Sequence, residues 1–281
     1  MAIQHHTRLL TRPLQFGQRT WHPLLLGLLA LPLLLFLFLP LLALLVRTGL
    51  TTVLTNVLQT QVMQAIVLSL GTSLLATLLA IVLGTPLAYL LARYQFRGRM
   101  MIETLIDLPM VLPPAVAGIA LLMAFGRRGI VGEHLSSVGI EIAFTQVAVV
   151  LAQLFVAAPF YVKSAAAAFT RIEREAEEAA MIDGASGGVV FWYIILPLSW
   201  PVLFGGAVMT WARALGEFGA TIIFAGNFPG RTQTMPLAIY IGFQLELSTA
   251  LTLSIILLII SFGVLALVKG LMRQRIGATD L

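Results

Sequence analysis

The chain has 281 residues, of which 59% are hydrophobic and only 10% are charged. Soluble domains carry about 25% charged residues, so this composition excludes a soluble globular protein and indicates a membrane protein. The net charge of +5 does not indicate nucleic-acid binding, because the basic residues flank apolar segments as they do in membrane proteins.

Cysteine is absent, which excludes a disulfide framework, a thiolate nucleophile and a cysteine metal site. The histidines do not form a metal-binding helical pair, and no nucleophile stands beside a base. We therefore expect no catalytic site and no metal site on this chain.

Six apolar segments can each supply the ~20 residues of a bilayer crossing. They are Leu24–Val46, Ala65–Ala92, Pro109–Phe125, Val147–Ala168, Leu198–Ala225 and Ala250–Leu271. The predicted fold is an all-α membrane bundle of about six transmembrane helices. One extra helix, residues 24–46, precedes a membrane domain over residues 61–271, between tails at 1–23 and 272–281.

The first apolar segment exceeds the ~7–15 residues of a signal-peptide core, and no small-x-small cleavage pattern precedes Arg47. We therefore expect a retained helix, kinked at Pro32 and Pro40. Pro109, Pro113 and Pro114 are expected to break helical hydrogen bonding at the start of the third span.

Basic residues are distributed unevenly between the two sides of the predicted bundle. Twelve lie in the tails and in the second and fourth loops: Arg8, Arg12, Arg19, Arg93, Arg97, Arg99, Lys163, Arg171, Arg174, Lys269, Arg273 and Arg275. Four lie in the intervening loops: Arg47, Arg127, Arg128 and Arg231. Because Lys and Arg are enriched on the cytoplasmic side, both termini and the fourth loop are expected to be cytoplasmic.

The fourth loop, residues 170–197, carries an acidic and alanine-rich segment between two apolar spans. Thr170 and Glu173 have the spacing of a capping box, and Gly184 suits the left-handed position after a helix. We expect a helix from about Arg171 to Asp183, and a second short helix that begins after Ser186. The small side chains of the first helix would let another surface approach closely.

The order Glu178-Ala179-Ala180, Gly184, and then Ile194, Leu196 and Pro197 resembles the cytoplasmic loop signature of permeases in binding-protein-dependent ABC importers. This resemblance implies the type I importer permease fold and a loop that docks on an ABC ATPase and couples its closure to the membrane helices. A solvated helix without a partner is the alternative. Gly187-Gly188 departs from the family, which often has a basic or large polar residue here.

A phosphate-binding loop of the form G-x-x-x-x-G-K-[ST] is absent, since neither lysine, Lys163 nor Lys269, follows a glycine. If ATP drives transport, a separate chain must hydrolyse it. We therefore expect no enzyme activity and no cofactor on this chain, with ATP and magnesium bound by the partner ATPase.

The segment Ala212–Thr221, continued by Ala225–Asn227 and Pro229–Thr232, is similar to the fifth-helix signature of sulfate and molybdate permeases. Asp107–Pro114, with Gly126–Gly129, is closer to molybdate permeases. The resemblance covers roughly residues 84–240. It implies a homodimeric permease for molybdate or tungstate in the inner membrane of a prokaryote, together with an external oxyanion-binding protein.

Two alternatives stay open for the transported substrate and the energy source. A sulfate or thiosulfate permease fits the extra first helix and the length of the chain somewhat better. An ion-coupled secondary transporter would use Arg213 and Glu217 as coupling groups, although such folds often show two related halves that this sequence lacks.

Arg213 and Glu217 lie inside the fifth apolar segment, where an uncompensated charge costs about 2.5–3.5 kcal/mol. Their i,i+4 spacing lets them pair on one helix face. They either line a pathway or gate for an oxyanion, or fix the packing of helices. Gly216 and Gly219 permit close helix approach at a subunit contact or a narrow gate.

Arg127, Arg128 and Arg231 fall on the predicted external side. They could receive the loaded binding protein or attract its anion. Ordinary loop charge is the equally weighted alternative.

Overall fold

A computed structural model describes residues 23–276, which separate after Arg47 into two compact units. The first unit holds one helix, α1 (Pro23–Arg47), whose 25 residues are almost entirely apolar. It matches the predicted first span, and Pro32 and Pro40 lie inside it. Most of the predicted tails, residues 1–22 and 277–281, lies outside the described residues.

The second unit is also entirely helical within the described residues. Its helices are α2 (Leu50–Val57), α3 (Thr60–Arg93), α4 (Arg99–Val111), α5 (Pro114–Phe125), α6 (Gly132–Ser137), α7 (Gln146–Arg171), α8 (Arg174–Ile182), α9 (Gly187–Val190), α10 (Leu196–Leu215), α11 (Gly219–Phe224), α12 (Met235–Leu245) and α13 (Leu247–Ile276). A π-helical turn, Phe191–Ile195, joins α9 to α10. The described chain offers five apolar helices long enough to cross a membrane, or up to six with the bent pair α4–α5. The predicted fold class is confirmed.

The centre of the second unit is the pair α3 and α7, which run parallel. Gly84 allows this contact, because a β-carbon there would lie 3.0 Å from both Tyr161 and Val162. One residue further on, the hydroxyls of Thr85 and Tyr161 are 2.7 Å apart. Small residues thus bring the helices together, as is usual where lipid removes the hydrophobic drive for association.

The third span differs from its prediction over residues 109–125. Pro109 lies inside α4, and the chain then turns by 118° before α5 begins at Pro114. The turn falls at Leu112 and Pro113, both of which have extended backbone angles. A residue that precedes proline is driven out of the helical region, so the two adjacent prolines place the break here.

The predicted bounds of the fifth span, residues 198–225, are wrong at both ends. The helix begins after Ser186, as the short-helix prediction requires, and continues through the π turn to Leu215. Pro197 explains the π turn, since its ring would clash with the carbonyl group of Tyr193 in regular α-helix. The chain then breaks at Gly216, and α11 follows as a separate short helix.

The last part of the bundle contains one helix that the sequence analysis did not predict. This is α12, an apolar helix of 11 residues with Pro236 in its first turn. It is too short to cross a bilayer alone. The final span, α13, begins three residues before the predicted Ala250 and extends to Ile276, so the predicted C-terminal tail at 272–281 starts within a helix.

Candidate functional site

The polar loop helix α8 starts later than predicted. Thr170 belongs to α7, and its hydroxyl donates to the carbonyl of Ala166 at 2.8 Å, so the predicted capping box with Glu173 is wrong. Ile172 and Glu173 have extended backbone angles and separate α7 from α8. The helix therefore begins at Arg174 rather than at about Arg171.

The end of α8 agrees with the prediction from Gly184. That glycine has a φ of +91°, in the left-handed region that favours glycine. Its N–H donates to the carbonyl of Met181 at 3.0 Å, and the N–H of Ala185 donates to that of Ala180 at 3.0 Å. These two bonds form a Schellman motif, which satisfies the last carbonyl groups of the helix.

The side chains of α8 divide between an exposed face and a buried face. Glu178 and Ala179 are exposed, and beside them the apolar side chains of Met181 and Ile182 are 49% and 85% exposed. Ala180 instead packs against the adjacent apolar core. An exposed face that mixes acidic and apolar side chains on a polar helix offers a surface for a protein partner.

The buried face of α8 carries Glu177, which is paired with Arg93, the last residue of α3. Only 10% of the Glu177 side chain and 8% of the Arg93 side chain is exposed. Arg93 also donates from Nη1 to the carbonyl of Ile172 at 3.2 Å. Arg174 in turn donates to the carbonyl of Arg93 at 3.3 Å. From the sequence, Arg93 contributes only to the predicted topology, and Glu177 is not distinguished from the acidic residues beside it.

The return from the loop to the membrane bundle is held by apolar and aromatic packing. Ile194 and Leu196 are partly buried against the core, and Pro197 is exposed. The rings of Tyr89, Phe169 and Phe191 pack edge to face, with centroids 5.3–6.2 Å apart. This aromatic cluster joins α3, α7 and the π turn close to α8.

The pairing of Arg213 with Glu217 is observed, with Nη1 2.7 Å from Oε2. The other carboxylate oxygen of Glu217 accepts the backbone N–H of Ala220 at 2.9 Å. Glu217 is 1% exposed, whereas the Arg213 side chain is 31% exposed. Glu217 thus caps the first turn of α11 and holds the break between α10 and α11.

The two glycines beside this pair have different surroundings. A β-carbon on Gly216 would meet only the carbonyl of Ala212, at 3.6 Å. A β-carbon on Gly219 would lie 2.6 Å from Cβ of Pro114, where α5 begins. Only Gly219 therefore brings two elements together, and these are the two broken spans.

The three external arginines predicted to contact the binding protein or its anion are all exposed. Arg127 lies 3.6 Å from a carboxylate oxygen of Glu141, and both side chains are largely exposed. Arg128 follows it in the same loop, and Arg231 lies in the loop between α11 and α12. Surface ion pairs of this kind contribute little to stability, so their charge is available to a partner.

Comparison with known proteins identifies the family to which this chain is similar. The family described as "Binding-protein-dependent transport system inner membrane component" matches residues 84–273. ModB of Mycobacterium tuberculosis, a molybdenum transport system permease protein, is 46% identical over 63% of this chain and 67% of its own length. ModB of Haemophilus influenzae is 45% identical over 55% and 68%. CysW of Synechococcus elongatus, a sulfate transport system permease protein, is 38% identical over 68% and 66%.

Solved structures agree with the fold. A chain of a bacterial ABC transporter for alginate import matches with a TM-score of 0.71 at 19% identity, over 89% of this chain and 96% of its own. A chain of the MetNI methionine ABC transporter matches with a TM-score of 0.57 at 18% identity, over 77% and 99%. At such low identity these matches support the fold alone.

Transporters of this family work with an ATPase and a binding protein, and ATP binds to the separate ATPase. The matched region contains the loop helix α8 and both broken spans. The chain therefore belongs to the family of binding-protein-dependent transport system inner membrane components, as a non-catalytic, multi-pass permease subunit of an ABC transporter.

Proposed function

We propose that this permease carries molybdate into the cell, with tungstate as a second cargo. The observation that carries the proposal is the identity of 46% to a molybdenum permease, against 38% to a sulfate permease. The molybdate-like segments at Asp107–Pro114 and Gly126–Gly129 support the same cargo. Molybdate, tungstate and sulfate share tetrahedral shape and charge.

The proposed assembly contains two copies of this chain, two ATPase subunits and one external oxyanion-binding protein. ATP and magnesium bind to the ATPase subunits, and this chain binds no cofactor of its own. The basic residues of the tails and of the second and fourth loops support a cytoplasmic location for both termini. Arg127, Arg128 and Arg231 would then meet the binding protein on the external side.

We propose that α8 docks on the ATPase through its exposed face. Glu178 and Ala179 supply polar and small contacts, and Met181 and Ile182 supply exposed apolar area. Ala180, Gly184, Ile194, Leu196 and Pro197 hold the loop in shape behind that face. ATP binding would close the ATPase subunits, move α8 and turn the transport cavity outward, and hydrolysis would return it.

The two broken spans are the proposed gate region. Irregular backbone at membrane depth is tolerated only inside protein or beside a water-filled cavity. Glu217 neutralises Arg213 and caps α11, which leaves the guanidinium little freedom to hold an anion. We therefore assign Arg213, Gly216, Glu217 and Gly219 to the shape of the gate rather than to a tight anion site.

Uptake of labelled molybdate tests the proposal. Cells would make this chain with its ATPase and binding protein, and excess tungstate or sulfate would compete. Uptake that tungstate blocks and sulfate leaves unchanged is the expected result. Uptake that sulfate abolishes would transfer the chain to the sulfate and thiosulfate branch, to which the relative CysW belongs. Uptake without an ATPase would support the ion-coupled alternative, which the family match disfavours.

A further inference from the structure

The loop helix α8 is tied to three membrane helices, although the chain joins it directly to only two of them. Residues 172–173 connect it to α7, and residues 183–186 connect it to α9 and so to α10. The third connection is noncovalent and leads to the end of α3. It consists of the Arg93–Glu177 ion pair and the hydrogen bond from Arg174 to the carbonyl of Arg93.

Burial distinguishes this ion pair from the others near it. The pairs Lys163–Asp107 and Arg99–Glu103 have side chains that are 29–53% exposed. The Arg93 and Glu177 side chains are 8% and 10% exposed, and Glu177 is the one buried residue of α8. Exposed pairs are weak because water screens them, whereas removing one partner of a buried pair leaves an uncompensated charge. A displacement of α8 is thus resisted by Arg93.

The end of α3 is in turn packed into the bundle. Tyr89 lies one helical turn before Arg93. The centroid of its ring is 5.8 Å from that of Phe169 in α7 and 5.3 Å from that of Phe191 in the π turn. Further along α3, Thr85 shares a hydrogen bond with Tyr161 of α7. A force on Arg93 therefore reaches the central helix pair of the second unit.

We infer that Arg93 and Glu177 are positioning residues that carry the movement of α8 to α3. ATPase closure then acts on α3 as well as on α7 and α10, the helices that the loop joins. This inference rests on the proposed docking of α8 on the ATPase.

The test uses a label at the end of α3 in the assembled permease and ATPase. The chain has no cysteine, so Leu90→Cys, at a side chain that is 39% exposed, gives a single site for an environment-sensitive fluorophore. A nonhydrolysable ATP analogue is added with Arg93 and Glu177 intact, and then with Glu177→Gln or Arg93→Met. We expect a fluorescence change in the first case and its loss in both variants, with the ATPase still bound.

Glu103→Gln is the matched control, because it makes the same acid-to-amide change in an Arg–Glu pair that lies within α4 alone. It should leave the fluorescence change intact. The exchanged pair Arg93→Glu with Glu177→Arg should restore part of the change that the single variants lose. An undiminished change in Glu177→Gln and Arg93→Met overturns the inference. Failure of the unaltered permease to bind the ATPase overturns the proposed docking and the inference with it.

Uptake gives a second readout that a merely structural role would not move. In proteoliposomes that contain the full complex and binding protein, Glu177→Gln should lower the molybdate imported per ATP hydrolysed severalfold. A purely structural defect would lower uptake and hydrolysis together and leave their ratio unchanged. An unchanged ratio in Glu177→Gln would therefore contradict the inference. If the unaltered complex imports no molybdate, the proposed cargo fails, and the fluorescence result still decides the role of Arg93 and Glu177.

Discussion

Gly219 lies against Pro114, so closely that a β-carbon on the glycine would stand 2.6 Å from Cβ of the proline. One helical turn along α5, a β-carbon on Gly118 would lie 2.9 Å from the carbonyl oxygen of Ala220. The two glycines thus let the start of α5 and the start of α11 touch. Two spans that hydropathy predicts as continuous are broken, and their breaks are packed on each other.

Gly219→Ala should destabilise the permease, because the added methyl group has no space beside Pro114. Overpacking of a filled site costs about 1–3 kcal/mol, and the backbone of α11 would have to shift. We expect a lower Tm in detergent, measured by the loss of the monodisperse peak on heating. Gly216→Ala is the control, since its β-carbon would meet only the carbonyl of Ala212 at 3.6 Å. Equal Tm values for the two variants would contradict the close packing.

The sequence predicts the ends of elements best where a single residue determines the backbone. Gly184 ends α8 because its position requires a positive φ, and Pro113 with Pro114 interrupts the third span because each drives the residue before it out of the helical region. The break after Leu215 has no such signal in hydropathy. The break depends on Glu217, whose carboxylate accepts a hydrogen bond from the N–H of Ala220 and so caps a new helix, α11.

The candidate site was predictable only in part, and for a related reason. The spacing from Glu178 to Pro197 identifies the loop, since its residues are close in sequence. Glu177 and Glu178 are adjacent and identical in residue type, yet Glu177 is buried and Glu178 is exposed. Only the tertiary contact with Arg93, 84 positions earlier in the chain, separates them.

The hydrogen bond between Thr85 and Tyr161 should contribute to the stability of the α3–α7 pair. Hydrogen bonds between membrane helices average about 0.6 kcal/mol, because the unfolded state in the membrane also finds partners. Tyr161→Phe and Thr85→Val should each lower the Tm modestly, and the double variant should lose less than the sum. Strict additivity in this double-mutant cycle would mean that the 2.7 Å contact contributes nothing.

Arg213→Met should destabilise the permease more than Glu217→Gln. The first change leaves the Glu217 carboxylate buried without its cation, and breaking a buried pair in this way costs up to about 3–5 kcal/mol. The second change keeps an oxygen for the N–H of Ala220 and leaves Arg213 partly exposed to solvent. Combining the two should recover part of the Tm lost in Arg213→Met.

Uptake measurements on the same variants separate the two roles of the pair. If Arg213 and Glu217 shape the helix break, uptake per folded permease should follow the Tm, with Glu217→Gln close to the unaltered protein. If they form the ion pathway, uptake should be lost in all three variants even where the Tm is unchanged. That second pattern would reject the structural assignment.

Glu178→Lys should uncouple the permease from its ATPase without harming the fold. Glu178 is exposed, so charge reversal alters the docking face of α8 and leaves the Arg93–Glu177 pair in place. Gly184→Pro should have the same functional effect by another route, since proline cannot adopt the φ of +91° that ends the helix. Both variants should insert into the membrane and bring down less ATPase in a pull-down.

Glu133→Lys, the same charge reversal at an exposed site on α6, should bring down the normal amount. Full ATPase recovery and full uptake in Glu178→Lys and Gly184→Pro together would show that the ATPase docks elsewhere.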